Sequence, residues 1–128
     1  MSDATGMLFH IAVLIMSIVI HEVSHGIAAS MQGDKTAEYA GRLTLNPLPH
    51  IDPFGSVILP ILSVALGGIF IGWAKPVPYN PHNLRNQKWG PAIVGLAGPA
   101  SNILIAVLFG LALRGAALLD IALPAAFL

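Results

Sequence analysis

Three long apolar runs limit what this chain can fold into. They cover about residues 7–31, 54–71 and 91–113, and a helix needs about 20 mostly apolar residues to cross a bilayer. Only 9% of the residues are charged, whereas a soluble domain of this size carries roughly 25%. So few charges cannot cover a water-exposed surface. We therefore expect a multi-pass protein of the cell membrane, surrounded by lipid, with one membrane-embedded domain over residues 1–128.

The predicted fold is mainly α, a membrane helical bundle with a short β-hairpin or strand after the first helix. Residues 38–45 alternate with the period of a strand. Residues 46–53 are a proline-rich turn region, and residues 75–89 are expected to form a surface loop. The last apolar stretch, residues 116–128, is too short to cross a bilayer unaided. It is expected to be part of a fourth helix.

The residue types that are missing narrow the possible chemistry. The chain has no cysteine, which excludes disulfides, thiolate catalysis and cysteine-based zinc sites. Any metal site must therefore use histidines and carboxylates. Six basic and six acidic residues give a net charge of zero, so no basic surface for nucleic acid is expected. Residues 1–6 lack the basic start of a signal peptide, which predicts that the first apolar run is retained as a span.

Residues 21–25, His-Glu-Val-Ser-His, form an H-E-x-x-H pattern inside the first apolar run. Residues i and i+4 of a helix lie on one face, so His21 and His25 can share one tetrahedral zinc ion at about 2.0–2.1 Å. Glu22 would then be the catalytic base that takes the proton of a zinc-activated water. The alternative is that these side chains only make polar contacts between helices. Three ionisable groups in mid-span are costly without a function, so we predict one Zn²⁺ per chain.

Four short segments, in a fixed order, carry a family pattern. They are I-H-E-V-S-H-G at 20–26, A-G-R-L-T-L-N-P-L-P-H-I-D-P-F-G at 40–55, G-W-A-K-P-V-P-Y-N-P at 72–81 and L-A-G-P-A-S-N at 96–102. With these segments the chain resembles the site-2 protease family of intramembrane zinc metalloproteases, in particular its small prokaryotic members. The resemblance implies zinc-dependent cleavage within the membrane-spanning segment of a protein or peptide substrate.

The chain departs from this family at the third zinc ligand. In the family that ligand is an Asp in a later helix, within a pattern like N-L-x-P-x-P-x-x-D-G, which also contains a catalytic-site Asn. The sequence ends at Leu128 without such a segment, so we expect the third ligand to lie beyond it. Local substitutes are Asp120, Asp52 and His50. Asp52 before Pro53 is also a helix start signal, with Asp as N-cap, and His50 could instead line a substrate entrance.

Two further features have more than one interpretation. Asn102 is an amide in mid-span that needs a partner, and it either packs two helices together or lies near the zinc ion or the substrate. The small residues around Gly98 allow another helix to approach closely, and Pro99 permits a kink. The strand predicted at 38–45 either shapes a loop or holds an unwound substrate by adding it as a further strand.

Three functions were compared on this basis. The first is a zinc-dependent intramembrane endopeptidase. The second is a non-catalytic membrane binding module with the protease fold, because the third ligand is absent from the sequence. The third is a metal transporter, for which inverted repeats would be expected, and the sequence shows none. We expect the endopeptidase.

Overall fold

The computed structural model describes residues 3–69 and 71–119. In chain order its α-helices are α1 (Asp3–Met31), α2 (Thr36–Tyr39), α3 (Leu59–Ala65) and α4 (Gly90–Leu118). A π-helical turn, Pro53–Ile58, runs into α3, and single 3-10 turns cover Leu48–His50 and Pro81–Asn83. The two long helices pack on each other. The prediction of a mainly helical protein is therefore confirmed.

Helices α1 and α4 are each long and apolar enough to cross a membrane. Exposed apolar side chains lie on the first half of α1, such as Leu14, and on the second half of α4, such as Phe109. Within a lipid bilayer these side chains would face hydrocarbon, so their exposure is not destabilising there. The predicted span at 54–71 is helical only over Pro53–Ala65, which is shorter than the other two.

The predicted strand at 38–45 is not found in the part of the chain that the structure describes. Helix α2 takes the start of this segment, and Gly41 follows in a left-handed conformation with φ of +70°. Burial does not separate apolar from polar side chains in this segment either, since Arg42 is only 4% exposed and Tyr39 is 86% exposed. The buried guanidinium has backbone carbonyls as partners, and satisfying it outweighs the alternating apolar pattern.

Two helix caps follow the sequence signals. Asp52 accepts the N–H groups of the two residues after Pro53, at 3.0 and 3.3 Å, and Asn80 accepts the N–H of His82 at 3.1 Å. The indole N–H of Trp73 also donates to Asp52 at 2.9 Å. This bond, together with the backbone N–H groups, holds the pKa of Asp52 below its ordinary value. Asp52 thus has a structural role as a cap.

The end of α1 is tied to the following loops by the buried carboxylate of Asp34. Asp34 accepts the N–H of Asn80 at 2.7 Å and the amide of Asn83 at 3.2 Å, and it also accepts from Thr36. Burial acts to raise the pKa of Asp34, but these hydrogen bonds outweigh burial and hold that pKa below its ordinary value. The loop before α4 is therefore fixed to α1, and the cluster of Ala29, Leu84 and Val94 packs beneath it.

Candidate metal centre

The three residues of the H-E-x-x-H pattern form a cluster on the face of α1 that is turned towards α4. One potential ligand atom each from His21, Glu22 and His25 lies within 4.8 Å of the other two. The two imidazole rings meet edge to face, with 4.7 Å between their centroids. Because all three side chains are half-buried, the cluster is partly shielded from the surroundings.

Gly98 of α4 lies directly opposite the two histidines. A Cβ atom added to Gly98 would lie 2.5 Å from Nε2 of His25 and 2.6 Å from Nε2 of His21. Both Nε2 atoms therefore pack closely against Gly98, and any larger residue at this position would push the two rings away. Zinc–imidazole bonds are about 2.0–2.1 Å long, and two imidazoles and a carboxylate within 4.8 Å of one another suit one zinc ion.

The other ring nitrogens contact α4. Nδ1 of His25 lies 2.6 Å from the carbonyl oxygen of Val94, and Nδ1 of His21 lies 3.4 Å from the side-chain amide nitrogen of Asn102. Val94, Gly98 and Asn102 are four residues apart and share one face of α4. This face thus contacts both nitrogens of both rings.

Glu22 is positioned by a loop rather than by α4. Its Oε2 accepts the backbone N–H of Val77 at 3.0 Å. Arg42 holds this loop by donating to the carbonyl oxygens of Lys75, at 2.6 Å, and Pro76, at 3.2 Å. Burial lowers the pKa of Arg42, and the negative charge of Glu22 offsets part of that effect.

The loop also packs tightly on α1 beside the site. A Cβ atom on Gly26, next to His25, would lie 2.5 Å from Leu43 and 3.2 Å from Val77. Close contact at this glycine brings the Val77 N–H within reach of Glu22. No sequence signal could identify that donor, because every residue except proline has the same backbone N–H.

The structure does not place His50 or Asp52 in this cluster. His50 is only 2% exposed, and its two ring nitrogens lie 3.1 Å from the Thr44 carbonyl oxygen and 3.2 Å from a guanidinium nitrogen of Arg42. Asp52 caps the π-helical turn, as described above. Asp120 lies outside the described residues.

A cavity of about 200 Å³ opens beside the cluster. It is lined by Glu22, His25, Pro76, Val77, Tyr79, Val94 and Gly95. The cavity thus joins the two ionisable side chains of α1 to an extended loop and to the start of α4. The sequence had indicated side chains on α1, together with His50, Asp52 and Asn102, whereas the loop and Val94 contribute mainly through backbone atoms.

Comparison with known proteins identifies relatives of one kind. The chain is 39% identical over 93 residues to "Putative zinc metalloprotease YwhC" of Bacillus subtilis, covering 73% of this chain and 39% of that protein. It is 43% identical over 99 residues to "Putative zinc metalloprotease Rip2" of Mycolicibacterium smegmatis, covering 77% and 37%. The Rip2 protein of Mycobacterium tuberculosis is 34% identical over 104 residues, covering 81% and 39%.

No protein-family model and no solved structure matches the chain. The chain spans about two fifths of the length of the curated relatives that it matches. These relatives are named as zinc metalloproteases, and the resemblance predicted from the sequence is confirmed. Over about three quarters of its length, this chain is similar to proteins named as zinc metalloproteases.

Proposed function

We propose that the protein is a zinc-dependent intramembrane endopeptidase that cleaves membrane-spanning segments of its substrates. His21 and His25 hold the zinc ion through Nε2, and Glu22 is the general base. The observation that carries this proposal is that ligand atoms of His21, Glu22 and His25 lie within 4.8 Å of one another, with both Nε2 atoms close together beside Gly98. The relatives named as zinc metalloproteases support the choice of metal and reaction.

Zinc at this place would supply a Lewis acid that polarises the scissile carbonyl group and makes water more acidic. The chain's own contribution is to place the proton acceptor. Glu22 has Oε2 fixed by the Val77 N–H, which leaves Oε1 to accept a proton from the attacking water. As the C–N bond of the peptide breaks, the same oxygen returns that proton to the leaving amine nitrogen.

The loop over the cavity suits an extended substrate. Prolines alternate with other residues along Pro76-Val77-Pro78-Tyr79, so one edge of this segment has no N–H groups. On the other edge, the N–H of Val77 binds Glu22, so the segment runs alongside the cluster. An unwound segment of a substrate helix that lies in the cavity along this loop would place one peptide bond beside the cluster.

The membrane setting supports the substrate class. Helices α1 and α4 are long enough to span a bilayer, and the cluster lies in the second half of α1, past its exposed apolar end. A site at this place in the helix is accessible to a peptide that arrives through the membrane. We therefore propose transmembrane proteins or peptides as substrates.

A second function is favoured by one observation. Among residues 3–69 and 71–119, the cluster of possible metal ligands contains only one carboxylate, that of Glu22. If Glu22 binds the metal, it cannot also be the free base, and the protein would be a non-catalytic membrane binding module. Catalytic zinc sites usually have three protein ligands and one open position.

The test is to replace Glu22 by Gln and follow both zinc content and cleavage. The assay uses a fluorogenic transmembrane peptide in detergent, with the 128-residue chain and with a version lengthened by a C-terminal helix that carries an Asp. We expect cleavage by the lengthened parent only, and none by its E22Q variant, which should keep its zinc. The exposed Glu38→Gln change is the matched control.

Cleavage by E22Q at the parent rate would contradict the role of Glu22 as base. Loss of zinc from E22Q, with no cleavage by either parent, would favour the binding module. Turnover by the unextended chain would show that a ligand within the 128 residues completes the site.

A further inference from the structure

One face of α4 contacts both histidines of the cluster in the same way. The Val94 carbonyl oxygen lies 2.6 Å from Nδ1 of His25, and the Asn102 amide lies 3.4 Å from Nδ1 of His21. Gly98, midway between them, faces both Nε2 atoms. Each ring thus contacts α4 with Nδ1 at one of these two residues and with Nε2 at Gly98.

The chemistry of imidazole assigns a direction to these contacts. A neutral ring has one N–H and one lone pair, so a histidine that binds a metal through Nε2 carries its hydrogen on Nδ1. That N–H needs an acceptor, which orients the ring and fixes the tautomer. A carbonyl oxygen can only accept, so Val94 holds His25 in the form that presents the Nε2 lone pair towards Gly98.

His21 needs an equivalent acceptor, and Asn102 is within reach of its Nδ1. The amide of Asn102 has His21 as its hydrogen-bond partner in the part of the chain that the structure describes, and its Oδ1 is buried without a partner. The amide is therefore not used to join the helices through a backbone group. Rotation about the Cβ–Cγ bond exchanges the oxygen and the nitrogen of the amide, which brings the oxygen to Nδ1.

We propose that Asn102 is a positioning residue for the metal ligand His21. Its amide oxygen accepts the Nδ1–H of His21 and keeps the lone pair on Nε2, where it is available to the metal, as the Val94 carbonyl does for His25. The inference rests on the proposed zinc site and adds to it the residue that sets the tautomer of one ligand. Asn102 touches neither the metal nor the substrate in this role.

The proposal is tested by two substitutions that differ in whether an acceptor remains. Asn102→Leu has similar volume and no acceptor, and Asn102→Asp keeps an acceptor and adds charge. The purified 128-residue chain in detergent is titrated with zinc against a competing chelator. Loss of such an outer partner typically weakens metal binding about 10–100-fold. We expect that loss for the Leu variant and parent-like or tighter binding for the Asp variant.

Cobalt as a substitute for zinc gives a second measurement that does not depend on activity. The visible absorption bands of bound cobalt report on ligand geometry, and we expect them to change in the Leu variant and to persist in the Asp variant. Ser101→Ala is the matched control, because that hydroxyl bonds only the Gly98 carbonyl of its own helix, at 2.7 Å. Circular dichroism checks that each variant is folded.

Parent-like zinc affinity and cobalt spectrum in the Leu variant would overturn the proposal, as would equal weakening in both Asn102 variants. If the Leu variant does not fold, the Asp variant decides alone, and weaker binding than the parent contradicts the proposal. His21→Ala is measured beside them. A parent chain that binds no more zinc than H21A would overturn the proposed zinc site itself, whereas a parent that binds well with an unaffected Leu variant refutes only the role of Asn102.

Discussion

His50 differs from the two histidines of the cluster in how its ring nitrogens are used. The guanidinium of Arg42 and the Thr44 carbonyl occupy the two nitrogens of His50. Within residues 3–69 and 71–119, His21 and His25 have a hydrogen-bond partner at Nδ1 only, and both Nε2 atoms lie close to Gly98. The difference shows that a buried histidine is a candidate ligand when one nitrogen is held and the other is free.

The surroundings of His50 are closed, whereas those of the His21–His25 cluster are open to a cavity. Arg42 donates to His50 and to the carbonyls of Lys75 and Pro76, so the loop region around it is closed. The α1–α4 crossing instead borders a cavity of about 200 Å³ that includes Glu22 and His25. Buried polar groups that satisfy one another stabilise a fold, whereas groups left open beside a cavity are available to a ligand.

Among substitutions around the His21–His25 cluster, Gly98→Ala should weaken its zinc binding most. The added methyl group would lie 2.5–2.6 Å from both Nε2 atoms, so the rings must move or the metal is displaced. Overpacking costs about 1–3 kcal/mol, and each 1.4 kcal/mol is about tenfold in affinity, so we expect zinc binding to weaken roughly 10–100-fold. Gly110→Ala on the same helix is the control, because a Cβ there meets nothing within 4 Å. Equal zinc affinity in both variants, measured by chelator competition, would argue against a metal position beside Gly98.

Val77→Pro tests whether the loop held by Arg42 positions Glu22 through the Val77 N–H. Proline removes the N–H that binds Oε2 of Glu22, and a hydrogen bond to a charged group contributes about 1.5–3 kcal/mol. We expect turnover in the lengthened protein to fall about tenfold or more, since 1.36 kcal/mol is tenfold in rate, with zinc retained. Val77→Ala keeps the N–H and loses only packing. If both variants have the same turnover, the N–H does not position the base.

We expect His50→Ala to lower the stability of the fold and to leave zinc binding unchanged. The change removes one of the hydrogen-bond partners of the Arg42 guanidinium and the ring partner of the Thr44 carbonyl, and leaving a buried polar group unsatisfied costs about 1–3 kcal/mol. A lower melting temperature in detergent with unchanged zinc affinity is the expected result. The exposed His82→Ala is the control. Loss of zinc from H50A alone, with its melting temperature unchanged, would make His50 a ligand after all.

Acid stability gives the smallest predicted effect. The pKa of Asp34 lies below its ordinary value of 3.8 in the folded protein, so this carboxylate stabilises the fold at pH values above 3.8. That contribution is lost as the pH falls from 3.8 through the lower folded pKa. Asp34→Asn should be less stable than the parent at neutral pH and should approach it in acid. If the melting temperatures of the parent and of Asp34→Asn follow parallel curves against pH, the Asp34 carboxylate does not have this stabilising role.

Much of the cluster on α1 could be predicted, because helical spacing alone places His21 and His25 on one face. The strand at 38–45 could not be judged from its alternation, since the burial of Arg42 depends on carbonyls more than 30 residues away. Distant backbone groups carry no sequence signature. The contacts of the Val94 carbonyl and the Val77 N–H were missed for this reason.

Asn102 and Gly98 are intermediate cases. The sequence indicated that the amide needs a partner and that small residues allow a helix to approach. It could not name that helix, since helix packing is decided by the fit of two surfaces. In the structure the neighbouring helix is α1, and both residues contact its two-histidine face.

The central claim is that one zinc ion is held by Nε2 of both His21 and His25. The most direct measurement is zinc X-ray absorption on the purified chain, combined with metal content, for the parent and for His21→Ala and His25→Ala. We predict about one zinc per parent chain, with two imidazole ligands at about 2.0–2.1 Å, and loss of most of the zinc in either variant. A parent without stoichiometric zinc, or a variant with unchanged zinc content and ligand number, would contradict the account.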